Sequence, residues 1–188
     1  MGKRVVNCYE AGDFKTMMTV AGSIRTADEF IDGCKIDNVP LLHHCVINGN
    51  KQALDHLVKL PYFSEIVNCQ NQGYTPLLYA LSLLNKKLEV PIVRLLVENG
   101  ADLKAENPRG ASVLQVTALK GHIEVLDYLL QTEKDRRRRA RWINEATGEY
   151  NWTAAHFAGF SNQFDALNLL IENGASLEPK SIKGMSYL

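Results

Sequence analysis

"GYTPLLYA", Gly73 to Ala80, followed by "PIVRLLVENGADLKA", Pro91 to Ala105, decides how this chain is read, because the same arrangement recurs along it. "GASVLQVTALKGHIEVLDYLL" (Gly110 to Leu130), "NWTAAHFAGFSNQFDALNLLIENGAS" (Asn151 to Ser176), "DNVPLLHHCVINGNKQALDHLV" (Asp37 to Val58) and "VVNCYEAGDFKTMMTVA" (Val5 to Ala21) are four further copies. Anchored at their turns, the copies start near 1, 38, 73, 110 and 151, with a partial sixth from 184. The columns then align. Val5, Leu42, Leu77, Leu114 and Ala155 stand four residues after each start, and the small residues Cys8, Cys45, Ala80, Thr117 and Ala158 stand seven after. Further along run Met17, Leu54, Ile92, Leu126 and Leu167, then Val20, Leu57, Leu95, Leu129 and Leu170. Apolar residues three and four apart, such as Leu126, Leu129 and Leu130, make a helical stripe that a lone copy cannot bury.

This pattern resembles the ankyrin repeat, G-x-T-P-L-H-x-A followed by a helix ending L-L-x-x-G-A-D, whose period is about 33 residues. The resemblance covers nearly the whole chain. It implies an all-α solenoid, one domain over residues 1–188, in which helix-turn-helix pairs stack right-handedly with short hairpin fingers along one edge. Thr75-Pro76 and Thr153 should open first helices, since proline is tolerated in a first turn. Gly100 and Gly174 should stop second helices in a left-handed conformation. The copy at 73 carries three extra residues between its helices, and Pro91 is expected to begin the second one. The copies at 1, 38 and 110 carry about four, two and eight extra residues after their second helices. "GMSYL", Gly184 to Leu188, looks like the opening of a sixth repeat, so the sequence reads first as a fragment of a longer protein, the alternative being a tail that covers the last repeat.

Composition narrows the function classes. The chain has 188 residues, 46% of them hydrophobic, enough for a packed core rather than disorder. Lys+Arg and Asp+Glu are 21 each, so no global basic field points to nonspecific nucleic-acid binding. No apolar run approaches a membrane span, and the N-terminus lacks a signal-peptide core. Met1-Gly2 fails as a myristoylation start because Val6 stands where Ser or Thr is wanted. Cys8, Cys34, Cys45 and Cys69 have no CxxC spacing, which reads as reduced thiols in the cytoplasm, with the nucleus as the alternative.

"LLHHC", Leu41 to Cys45, is the one stretch that invites a metal or enzymatic reading around His43, His44 and Cys45. The columns favour structure. His43 and His156 fall where the ankyrin resemblance implies an imidazole bonded to the turns of adjacent repeats, Cys45 falls in the small-residue column, and metal sites need more convergent ligands than appear. His122 matches the Gly-His that opens a second helix. Phosphate loops, catalytic Ser-His-Asp orders and carboxylate pairs do not emerge, so no enzyme, cofactor or metal is expected.

"KDRRRRAR", Lys134 to Arg141, concentrates Lys134, Arg136, Arg137, Arg138, Arg139 and Arg141 against Asp135, a local charge of +5 that leaves the rest near −5. Its neighbours from Gln131 onward are good helix formers without Gly or Pro. The expectation is an overrun of the preceding helix by one or two turns, or a mobile loop, with the arginines in solvent. A solvated insertion is the first reading, an acidic protein or anionic lipid surface the second, and nucleic acid the last, since Trp142 is the only aromatic beside the run.

The resemblance also implies what the chain does: ankyrin arrays bind other proteins through finger tips and the exposed ends of first helices on a concave face. Carried over by column, the contact candidates are Asn48, Gln72, Tyr74, Arg109, Lys120, Tyr150, Trp152 and Phe160. Exposed aromatics with Arg are the types enriched at interface hot spots; the competing reading has Trp152 and Phe160 packing on a neighbouring finger. If Trp152 and Tyr74 are contacts, changing them to Ala should weaken binding and leave thermal unfolding nearly unchanged. The expected state is a monomer bound to another protein.

Overall fold

The computed structural model describes residues 1–83, 86–148 and 151–177. The partial copy at 184–188 and the candidate Tyr150 lie outside them. The chain divides into two compact units, Met1–Asp102 and Leu103–Leu188.

Unit 1 holds three helix pairs: α1 (Gly2–Glu10) with α2 (Phe14–Ala21), α4 (Leu41–Ile47) with α5 (Lys51–Leu57), and α7 (Pro76–Leu83) with α8 (Lys86–Glu98). Each pair packs internally, α4 packs on α7, and α5 sits between α2 and α8. α3 (Ala27–Gly33) and α6 (Phe63–Ile66) lie between pairs. Strands β1 (Lys35–Ile36) and β2 (Val39–Pro40) make an antiparallel hairpin whose turn residues Asp37 and Asn38 both have positive φ, the geometry that matches strand twist. Asn71 and Tyr74 form the next such finger around Gln72 and Gly73.

Unit 2 repeats the plan. α9 (Val113–Lys120) pairs with α10 (Ile123–Thr132), α12 (Ala154–Phe160) pairs with α13 (Phe164–Glu172), and α11 (Arg136–Ile143) lies between the pairs. α9 packs on α12 and α10 on α13. Isolated bridges Glu106–Ser112 and Thr147–Trp152 form its fingers.

The aligned columns are the core. Val5, Leu42, Leu77, Leu114 and Ala155 are each at most 4% exposed. Gly100 and Gly174 end their helices with φ of 93° and 100°, a conformation any side chain would strain. His122 is the N-cap residue of α10, and Leu78 N–H bonds the Thr75 hydroxyl at 3.3 Å, capping α7.

Three expectations need correction. Pro91 does not begin α8; the helix starts at Lys86 because the four residues there, Lys-Lys-Leu-Glu, are strong helix formers. Leu95 and Leu167 are only half-buried; in the copy at 73 Val93 and Leu96 are the buried neighbours of Ile92. The extra residues after three second helices, counted only as insertions in the alignment, fold as further short helices. In unit 1 these are α3, capped by Thr26, and α6, and they pack on each other through Phe30 and Tyr62. The Tyr62 hydroxyl donates to the Ala21 carbonyl at 2.8 Å, satisfying the end of α2.

The third correction concerns the arginine octet. α10 stops at Thr132, and Asp135 caps a separate helix by accepting from Arg138 N–H at 2.8 Å. That bond holds the Asp135 carboxyl below the usual carboxylate range. Ile143, fully buried with Leu126, Leu130 and Leu170, anchors the far end and contributes about 2 kcal/mol by burial. Arg139 turns partly inward, its Nη1 donating to the Leu130 carbonyl at 3.4 Å, so it is half-buried rather than fully in solvent. Lys134, Arg136, Arg137, Arg138 and Arg141 are exposed.

Candidate partner-binding surface

Each unit holds its fingers by a side chain in the same column. In unit 1 that residue is His43, fully buried, whose Nε2–H donates to the Tyr74 carbonyl at 3.0 Å. This tautomer leaves Nδ1 to accept, and the Cys69 thiol lies 3.8 Å from it. Burial lowers the His43 pKa, and burial pushes the Cys69 and Cys45 thiols up to about 12. Burial thus keeps both thiols in their protonated, weakly nucleophilic form. His44 points elsewhere, with Nδ1 3.3 Å from the Tyr9 hydroxyl. Among the described residues no group of three or more His, Cys, Asp or Glu is placed to hold a metal.

In unit 2 the corresponding residue is Gln115, 1% exposed. Its Nε2 donates to the Trp152 carbonyl at 2.8 Å and to the Glu145 carbonyl at 3.3 Å, and its Oε1 accepts from Ser112 N–H at 3.0 Å. The Thr147 hydroxyl lies 2.7 Å from that Oε1 and 2.6 Å from the Gly110 carbonyl, one proton facing two acceptors. A Cβ at Gly110 would stand 2.6 Å from the Gly148 Cα, so only glycine lets these two fingers approach. Sequence reading missed Gln115, although Ser112-x-x-Gln115 is a capping-box spacing that could have found it. His156 does not repeat the His43 bond among the described residues. Its Nδ1 accepts instead from Thr153 N–H at 3.2 Å, capping its own helix.

The contact candidates fall out as follows. In unit 1, Gln72 is exposed at the finger tip, and Asn48 is exposed with its Nδ2 donating to the His44 carbonyl at 2.9 Å. Tyr74 is half-buried against the Tyr79 ring, centroids 5.2 Å apart. In unit 2, Arg109 and Lys120 are exposed. Trp152 is half-buried, its ring 5.4 Å from Phe157 and 5.3 Å from Phe160, while Phe160 is 71% exposed. The structure therefore brings Trp152 and Phe160 together and adds Phe157, which sequence reading did not single out. Beside them a groove of about 400 Å³ runs past Ala155, His156, Leu167 and Leu177, with a largely apolar lining. The packing of Tyr74 and Trp152 means that changing either to Ala removes ring contacts, so the expectation of unchanged stability does not hold for them.

A family model described as "Ankyrin repeats (3 copies)" matches residues 17–107 and 85–181. The chain is 33% identical over 176 residues to the rat nuclear factor NF-kappa-B p105 subunit, covering 92% of this chain and 16% of that protein. The chicken p105 subunit is 28% identical over the same share of each. The human ankyrin repeat domain-containing protein 63 is 35% identical over 71 residues, 37% of this chain and 19% of that protein. The chain thus spans less than a fifth of the length of these relatives.

Proposed function

The chain belongs to the ankyrin-repeat family, whose repeats are generally protein–protein interaction modules, and from that premise we propose that it is a non-enzymatic scaffold recognising another protein through its fingers and first-helix ends. The observation that carries this reading furthest is the exposure of Phe160, a large ring packed at a tilt against a second ring and left facing water. A singly exposed apolar residue needs no explanation, but an aromatic cluster beside an apolar groove is the composition of a binding centre. Trp152 is positioned from below by Gln115, so the surface is held rigid before a partner arrives, which lowers the ordering cost of binding. In this reading Gln72, Tyr74 and Asn48 remain contact candidates of unit 1, and Arg109, Lys120 and Tyr150 of unit 2.

The four cysteines are unpaired, which supports a reducing compartment, cytoplasm or nucleus. Among the described residues no helix is long and apolar enough to cross a membrane. The test is a quantified titration of a purified partner, first isolated on the wild-type chain, against Phe160→Glu and Trp152→Ala. Phe160→Glu should weaken binding by about thirtyfold or more, the scale of a hot-spot loss, with the unfolding midpoint lowered less than by Trp152→Ala because the ring is mostly exposed. Trp152→Ala should weaken binding and also lower the unfolding midpoint. Retention of the partner by Phe160→Glu at wild-type affinity would overturn the reading.

A further inference from the structure

α11 is a helix built against its own electrostatics. The unsatisfied N–H groups of a first helical turn carry partial positive charge and favour anions there. Here Arg136, Arg137 and Arg138 fill that turn, behind the single carboxylate of Asp135. Arg137 and Arg141 stand four apart, a like-charge pair that costs a further few tenths of a kcal/mol. The one ion pair made by these exposed cations among the described residues is Arg138 with Glu133, at 3.4 Å and with the Arg138 side chain 65% exposed. Local rules broken with only one cap and one exposed ion pair to compensate, among the described residues, are the mark of a surface shaped by something other than folding.

The cations are not spread evenly. Arg138 and Arg141 project from α11 into a groove of about 870 Å³, which Lys104, Trp142, Glu133 and Glu145 also line. Arg136 and Arg137 do not line it. The groove therefore combines two guanidinium forks, an ammonium, a half-buried indole face and two carboxylates. Guanidinium forks match carboxylates in bidentate geometry, and the indole offers an apolar seat.

We propose that this groove binds an acidic peptide segment of a protein partner, one in which carboxylates flank an apolar side chain that rests on Trp142. Glu133 and Glu145 decide against a polyphosphate. A nucleic-acid strand presents charge at every residue and would meet both carboxylates, whereas a peptide places its acids opposite Arg138, Arg141 and Lys104 and leaves the rest neutral. The proposal takes from the scaffold reading only that the partner is a protein.

The test uses the full chain and a fluorescein-labelled peptide of Glu and Asp around a central Phe, with a matched peptide in which Gln and Asn replace the acids. Fluorescence anisotropy should show saturable binding of the acidic peptide alone, weakening as salt rises. The double variant Arg138→Glu, Arg141→Glu should reduce affinity by about tenfold or more, while Arg136→Gln, Arg137→Gln changes it by less than about threefold. Should charge reversal disturb the far-ultraviolet dichroism, Arg138→Gln, Arg141→Gln replaces it with the same expected order of effect. An acidic peptide that does not bind, or equal losses from the two double variants, would overturn the groove. Tighter binding of a labelled single-stranded oligonucleotide or of phosphatidylserine vesicles would overturn the choice of partner. Phe160→Glu should leave peptide affinity unchanged, so this proposal and the Trp152–Phe160 surface fail separately.

Discussion

His43 in unit 1 and Gln115 in unit 2 occupy the same repeat column and do the same work by different chemistry. Each sends a buried nitrogen donor to the carbonyl of the second residue of the next finger, Tyr74 at 3.0 Å and Trp152 at 2.8 Å. A second pair runs parallel: Asn68 Nδ2 donates to the Gly100 carbonyl at 3.0 Å, and Asn144 Nδ2 to the Gly174 carbonyl at 2.9 Å. Each of these asparagines also accepts, from Asp102 N–H at 2.8 Å and from Ser176 N–H at 2.7 Å. The comparison teaches that the fold asks for a donor of given reach at a given place, not for a residue type. A buried backbone carbonyl must be paired, and imidazole or carboxamide serves equally. What differs is load and protonation: Gln115 satisfies two carbonyls and an N–H, whereas His43 satisfies one carbonyl and can, in principle, take up a proton.

That difference in load sets the largest expected effect. Gln115→Ala strands the Ser112 N–H and the Glu145 carbonyl and leaves the Trp152 carbonyl only the long bond from Thr147 N–H at 3.4 Å, and should destabilise unit 2 by about 3 kcal/mol. His43→Ala removes one of two bonds to the Tyr74 carbonyl, which Asn71 N–H still reaches at 3.0 Å, and leaves a cavity where the ring stood, about 2 kcal/mol in unit 1. The two can be separated optically, because both tryptophans, Trp142 and Trp152, belong to unit 2. Tryptophan fluorescence in a urea titration follows unit 2, and far-ultraviolet dichroism follows both. If Gln115→Ala leaves the fluorescence midpoint within the range of surface substitutions, the carboxamide is not holding the finger. Next in size, Asn144→Ala and Asn68→Ala should each cost about 1 to 2 kcal/mol, and by similar amounts. A clear inequality would mean that the two clamps, alike in geometry, are not alike in energy.

The leucine columns were legible because a period repeated five times leaves little freedom, and each such leucine has one way to escape water. His43 was legible for its match to a family letter, whereas Gln115 departs from that letter and was passed over, even though its capping-box spacing from Ser112 stood in plain view. α11 was misread for a different reason. Propensity said helix from Gln131 onward and said nothing of where one helix ends and another begins; that break is made by Asp135 reaching back to Arg138 N–H, a bond between residues three apart within one turn. Among the contact candidates, sequence placed Trp152 and Phe160 near each other in the chain's logic but could not say that Trp152 would lie half under its neighbours. Exposure of one ring, Phe160, and partial burial of another eight residues before it, Trp152, is a property of the packed unit.

The protonation difference yields the smallest effect and the sharpest comparison. His43 is buried with its pKa held below 6.5 chiefly by desolvation, only partly offset by the bond to the Tyr74 carbonyl. As pH falls through 6.5 the unfolded chain takes up a proton that the folded chain refuses, so the unfolded state binds more protons and stability drops. Above 6.5 neither state is protonated and the contribution is flat. His156, also lowered by burial, adds a term of the same sign in unit 2, but the finger bond there is Gln115's and does not titrate. His43→Gln transplants the unit 2 solution into unit 1. It should keep stability at pH 7.5 within about 1 kcal/mol of wild type, since one donor replaces another at the same carbonyl. It should also flatten the decline of the dichroism midpoint between neutral and mildly acid pH, leaving the part due to His156, which His156→Gln removes in turn and tryptophan fluorescence follows alone. If His43→Gln leaves the acid decline unaltered, the imidazole is not the group that titrates, and the equivalence of the two columns extends to their charge as well as their reach.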